Sequence, residues 1–214
     1  MEIFIRILFI AVGFLSGSIM FCRIIPKRVK HEDICEISDD CNPGAFNVFK
    51  HFGKGLGILC LILDLLKGFI PVFLASMLTN TNNFCFCIIM IAPVLGHAIG
   101  LFDRFHGGKC ISVSFGVTAG VLPVTWIAFA VLALLYILFS ALIKIKPNRV
   151  RSIVVFVLFA IIAGVACGVL NHKNVAIACA LIAVIAVIKH LKVNTKFKRD
   201  EILKHEEEER TLND

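Results

Sequence analysis

The chain has 214 residues, 58% of them hydrophobic, a mean hydropathy of +0.90 and a net charge of +7. So apolar a composition excludes an ordinary soluble domain. Nine scattered cysteines, odd in number and mostly inside apolar runs, exclude a disulfide framework and read as small soft hydrophobes. Cys85-Phe86-Cys87 lacks the second ligand pair of a zinc site, so neither a metal nor a cofactor is expected.

A segment needs roughly 20 apolar residues to cross the hydrocarbon core. In chain order the candidate spans are 3–21, 56–78, 84–102, a shorter and weaker 110–124, then 125–143, 153–170 and 175–188. The first is preceded only by Met1-Glu2, without a basic leader region, so it is expected to remain as a helix. Basic residues gather at Arg23, Lys27, Arg28 and Lys30, at Arg104 and Lys109, at Lys144, Lys146, Arg149 and Arg151, and from Lys189 onward, while 79–83 and 171–174 carry little charge. The positive-inside bias puts the basic clusters in the cytoplasm. Lys109 and Lys144 share a side only if the chain between them crosses twice, turning near Leu122-Pro123, at a tight ~17 residues per crossing.

The expectation is therefore an all-α, polytopic membrane protein of about seven transmembrane helices, with its N-terminus outside and its C-terminus cytoplasmic. Residues 1–190 read as one membrane domain. Residues 191–214 read as a charged cytoplasmic tail, in which a basic stretch suited to anionic headgroups precedes Glu206-Glu207-Glu208-Glu209. The cell membrane is the expected location, with membrane lipids rather than nucleic acid as surroundings.

Two polar, glycine-bearing loops interrupt the apolar pattern. One is Ser38-Asp39-Asp40-Cys41-Asn42-Pro43-Gly44-Ala45-Phe46-Asn47 and the other is His106-Gly107-Gly108-Lys109. Backbone N–H groups in such loops can cradle anion oxygens, and a nearby lysine adds charge. An anionic ligand at the membrane edge is the chemistry this pattern fits. Asp64 and Lys67 sit three residues apart inside a span, on one helical face and within reach of each other. Intramembrane charges pair, face a cavity or serve function. A structural ion pair is the favoured reading, and a pore or proton path is the functional one. His97 lies near the cytoplasmic end of its span, where it is either a packing histidine or, beside Arg104 and Lys109, part of a site.

Gly17-Ser18-Ile19, Asn42-Pro43-Gly44-Ala45, Asn47-Val48, Asp64-Leu65-Leu66-Lys67-Gly68, Gly96-His97 and Gly107-Gly108-Lys109 follow one another in a characteristic order and spacing. Over roughly residues 11–122 this resembles the bacterial integral-membrane acyl-phosphate:glycerol-3-phosphate acyltransferases, the PlsY type. The resemblance implies seven membrane helices with cytoplasmic motif loops. It implies transfer of a fatty acyl group from acyl phosphate to the 1-hydroxyl of glycerol 3-phosphate, releasing inorganic phosphate. Asn42, Gly44, Ala45 and Asn47 would then hold the acyl phosphate, and Lys109 would contact phosphate. Lys50 takes the place of a substrate-binding arginine. His97, Gly107 and Gly108 would line the site, and His190 and Asn194 would stand for a C-terminal His-Asn motif.

No covalent nucleophile is implied, because phosphate is a good leaving group and positioning with electrostatics can supply the rate. The chain departs from the family pattern where Asp40 replaces a serine, Cys41 a glycine, Phe46 a threonine, Cys35 an arginine, His106 a lysine and Cys110 a glycine. Two alternatives follow. One is a diverged paralogue that binds an anionic lipid or acyl phosphate, and the other is a small transporter using Asp64 and Lys67.

Overall fold

The computed structural model describes residues 2–191, and all regular structure among them is helical. Helix α1 (Glu2–Gly17) runs into α2 (Phe21–Lys30) through a bend of 41°. Short α3 (Ile34–Ile37) and α4 (Ala45–Phe52) form the polar segment that follows. Next come α5 (Lys54–Leu78), α6 (Cys85–Ile99), α7 (Ile111–Gly120) and α8 (Ile127–Ile137), the last continuing as a π turn over Leu138–Leu142. The set closes with α9 (Asn148–Val169) and α10 (Lys173–Leu191).

Helices α5, α9 and α10, and α6 extended to Asp103, are each long and apolar enough to cross a membrane, and α1 with α2 adds one broken span or re-entrant segment. Helix α7 has 10 residues, so at about 1.5 Å per residue it reaches only about half of the hydrocarbon thickness. It stops at Gly120, and the turn foreseen near Leu122-Pro123 falls between α7 and α8. Large apolar side chains such as Phe4, Leu134, Val165 and Val169 point outward, as a surface bathed in lipid requires. The packed interior is built from Phe86, Met90, Phe156 and Phe159. Within it α5 packs on α7 and α1, α6 on α1 and α10, α9 on α10, and α8 on α9.

Two of these crossings depend on reciprocal glycines. A Cβ on Gly17 would strike the Pro93 carbonyl of α6, and one on Gly96 of α6 would strike the Phe14 carbonyl of α1. Gly116 of α7 lies against the Leu65 carbonyl, while Gly68 of α5 lies against that of Val113. Small residues let membrane helices approach backbone to backbone, where van der Waals contact replaces the hydrophobic drive that lipid removes. The second crossing fixes α7 against α5 and so positions Lys109, two residues before α7, on the same cavity as Leu61 and Asp64 of α5.

The intramembrane pair joins α5 to the break between α1 and α2. Lys67 Nζ lies 2.8 Å from Asp64 Oδ1, with both side chains 2% exposed. The same ammonium donates to the Ile19 carbonyl at 2.7 Å. That carbonyl falls in the break, where no helical N–H reaches it. Asp64 also accepts from the Cys22 thiol at 3.2 Å.

Candidate functional site

Gly44 precedes α4 in extended backbone (φ −114°, ψ 152°), and its carbonyl accepts the first helical bond, from the Asn47 N–H at 3.0 Å. This turn carries Asn47 inward, where its amide donates to the Asn42 carbonyl at 2.9 Å and to Asp40 Oδ1 at 2.7 Å. The Asn42 N–H reaches the same oxygen at 3.3 Å. From the other loop, Lys109 Nζ donates to Asp40 Oδ2 at 2.5 Å. Lys50, on α4, pairs with Asp39 at 2.8 Å. Burial pushes the Asp40 carboxyl up, but Lys109, Asn47 and the Asn42 N–H together hold it below the usual carboxylate range.

These residues form the mouth of a cavity of about 620 Å³. Asn42, Gly44, Ala45, Asn47, Lys50, His97, Lys109 and His190 all line it. Of the expected site residues, Gly107 and Gly108 do not line it; they carry the loop past the end of α6. The Gly108 N–H donates to the His97 carbonyl at 3.0 Å, and a side chain on either glycine would collide with α6. Their smallness positions Lys109 rather than opening the backbone to a ligand. Asn194 lies outside the described residues. His97 is buried, and its Nδ1 has no hydrogen-bond partner among the described residues. His190 Nδ1 lies 2.7 Å from the Ala186 carbonyl, so that nitrogen is the donor and Nε2 is left for the cavity. Asp64 contributes to the wall while paired with Lys67.

The far wall brings in two arginines that the sequence reading used only to orient the chain, and two residues that it did not use. Tyr136, Arg149, Arg151 and Ser152 face the cavity from α8 and from the first turn of α9. Arg149 donates to the Leu191 carbonyl at 2.9 Å, and Arg151 Nε is buried without a partner among the described residues. The available signal was the pattern Arg149-Val150-Arg151-Ser152 at the start of an apolar run.

Outside the cavity a second network braces its loop. Arg23 makes paired bonds to Asp33 (2.9 and 2.8 Å) and to Asp103 (2.7 and 2.8 Å). Asp33 in turn caps α3 by accepting from the Cys35 N–H. Burial pulls the Asp33 carboxyl up, but Arg23, the Cys35 N–H and Lys27 hold it at about 2. Burial pushes the neighbouring Cys35 thiol up to about 12, so it stays neutral.

Along the α5–α7 face an apolar groove of about 530 Å³ adjoins the cavity, sharing Leu61, Ile111 and Ser112 with it. Leu65, Leu66, Phe69, Phe115 and Phe129 line the rest, so the combined space is polar at one end and hydrocarbon at the other.

Fold and site define a multi-pass membrane protein with a cavity shaped for an amphiphile. The family pattern described as "Glycerol-3-phosphate acyltransferase" matches residues 7–198, and the chain belongs to that family. Among curated relatives of that name it is 39% identical over 113 residues to one from Endomicrobium trichonymphae (53% of this chain, 56% of the relative). It is 36% identical over 132 residues to one from Thermotoga petrophila (58% and 66%). These alignments span only 56% and 66% of those relatives' own lengths. The crystal structure of PlsY (YgiH), an integral membrane glycerol 3-phosphate acyltransferase in its glycerol 3-phosphate form, superposes with a TM-score of 0.71 at 26% identity, covering 94% of this chain and 92% of that one. Its lysophosphatidic acid form superposes with a TM-score of 0.69 at 26% identity, covering 87% and 88%.

Proposed function

We propose that this chain transfers a fatty acyl group from acyl phosphate to the 1-hydroxyl of glycerol 3-phosphate, giving 1-acylglycerol 3-phosphate and inorganic phosphate. The observation that carries the reading is the continuity of the cationic cavity with the apolar groove through Leu61, Ile111 and Ser112. An acyl phosphate has that division along its length. The groove would take the chain, and Asn42, Gly44, Ala45, Asn47, Lys50 and Lys109 would take the phosphate. Glycerol 3-phosphate brings a second phosphate, for which His97, His190, Arg149 and Arg151 form the opposite side. His97 Nδ1, buried and unpartnered, is available to a ligand oxygen.

The chemistry then needs little from the protein beyond placement. The acceptor hydroxyl is held against the acyl carbonyl, cations stabilise the charge that develops, and phosphate departs. The hydroxyl proton can pass to a substrate phosphate, so no protein base is assigned. Seven crossings are proposed: α1 with α2, α5, α6, the short α7 together with the turn that follows it (111–126), α8 with its π turn, α9 and α10. The N-terminus is placed outside, the site and C-terminus in the cytoplasm, and residues 191–214 form a charged tail. A second reading, an anion binder without turnover, draws on the carboxylates that occupy both lysines.

The test is release of inorganic phosphate from palmitoyl phosphate by the full chain in bilayers, with and without glycerol 3-phosphate. Acceptor-dependent release is expected. Lys109→Ala should weaken transition-state binding by about 2–5 kcal/mol while the protein stays folded, because a desolvated phosphate would lose its partner. A well-folded parent without acceptor-dependent release defeats the enzyme reading. A Lys109→Ala protein that turns over like the parent defeats the site.

A further inference from the structure

The donors expected to grip a phosphate already grip a carboxylate. Lys109 Nζ takes one oxygen of Asp40 at 2.5 Å, while the Asn47 amide (2.7 Å) and the Asn42 N–H (3.3 Å) take the other. Both oxygens are satisfied, and three groups from two separate segments of the chain converge on them. Resting on the acyl-phosphate reading above, we propose that Asp40 is a charge-threshold residue: a tethered carboxylate that occupies the phosphate cradle, yields it to dianionic phosphate groups and denies it to monoanions that bind too weakly to displace it.

The argument is one of exchange. An incoming anion must displace a group that already satisfies these donors and cannot diffuse away. A tethered partner competes at an effective concentration on the order of millimolar or above. A free carboxylate, or the singly charged diester of a phospholipid headgroup, offers the donors no more charge than Asp40 does. It loses to the tether. A phosphate monoester brings a second charge and a third terminal oxygen, and close to a partly desolvated lysine that extra charge counts strongly. The displaced Asp40 has somewhere to go, since its side chain is already 42% exposed at the cavity mouth.

The need is physical as well. Arg149 and Arg151 face the same space, which continues into an apolar groove. An unguarded cationic cavity of that shape would fill with fatty carboxylates and diester headgroups, the commonest anions of a membrane. A proton-accepting role fits Asp40 less well. A base needs a carboxyl raised toward neutral pH, whereas this one is held low.

The test compares two probes that differ in charge on the same phosphorus chemistry. Methyl phosphate is a dianion at about pH 8, above its second pKa near ~6, and dimethyl phosphate stays a monoanion. Their affinities for the detergent-solubilised full chain are measured by calorimetry. The parent should prefer methyl phosphate by about tenfold or more, because the second charge binds the cradle strongly enough to displace the tether. Asp40→Asn keeps the size and one acceptor oxygen while removing the charge. It should bind dimethyl phosphate at least about tenfold more tightly, and methyl phosphate by a similar factor, because one tethered competitor weighs on both.

Asp40→Ser is the second arm, with the same expectation if the asparagine variant fails to fold. The proposal is overturned if the parent does not discriminate or binds neither probe. It is also overturned if the variants bind dimethyl phosphate no more tightly than the parent does or lose affinity for methyl phosphate. No acyl donor or acceptor is present, so the two readings fail separately. A parent that discriminates but never turns over defeats only the enzyme reading, and one that turns over without discriminating defeats only this one.

Discussion

Cys41 and Cys110 hold left-handed backbone, with φ of 46° and 66°. Both stand where the family pattern has glycine, the residue that adopts such angles without steric cost. For an L residue the conformation costs roughly 1–2 kcal/mol, set against about 0.5–1 kcal/mol of extra chain entropy lost by glycine. Cys41→Gly is therefore expected to raise stability by up to about 1 kcal/mol, read as a higher midpoint of thermal unfolding in detergent. The site loop was legible because its asparagines and glycine are a matched motif. What the sequence did not disclose was the use made of Asp40. Its charge reads as repulsion toward phosphate, and only the convergence of Lys109, Asn47 and Asn42 turns it into an occupant. Arg149 and Arg151 were visible but were read only for their sign, since nothing in their spacing says that they line the same cavity as the loop before α4.

At the scale of elements the tight crossings govern. Gly96→Ala would drive a methyl group into the Phe14 carbonyl of α1. Overpacking of this kind costs about 1–3 kcal/mol, so a lower folded yield and a lower melting temperature are expected. Gly164→Ala in α9 is the control, because its added carbon meets only ordinary contact with the Ala176 carbonyl at 4.0 Å. That change should be neutral or stabilising by up to about 1 kcal/mol. The crossings were present in the sequence as Gly13-Phe14-Leu15-Ser16-Gly17 and Gly116-Val117-Thr118-Ala119-Gly120, the small-xxx-small spacing of close helix pairs. The shortness of α7 was only half legible. Apolar content marks 110–124 as a span, but the backbone leaves the helix at Gly120 and turns before α8.

For the whole molecule the proposed threading puts every basic loop on one side. Cysteine labelling on a cysteine-free background, or reporter fusions, should place the residue 79–83 and 171–174 connections outside and the 144–151 loop inside. External labelling at 144–151 would break both the threading and the count of seven. The all-helical class and the membrane setting were legible from composition alone, because backbone in lipid must satisfy itself and helices do so. The arrangement of helices was not. Hydropathy records which segments are apolar and says nothing of which neighbours they choose.

The bend after α1 has a consequence for the order in which the protein is built. The carbonyl of Ile19 finds its partner in Lys67, 48 residues further along the chain. When the first segment emerges from the ribosome that partner does not yet exist, and a bare carbonyl in hydrocarbon is costly. The break is therefore a property of the finished assembly and not of the segment that contains it. Its geometry is sealed only when α5 delivers its ammonium, so the first helix to be made cannot take its final form before α5 has followed it.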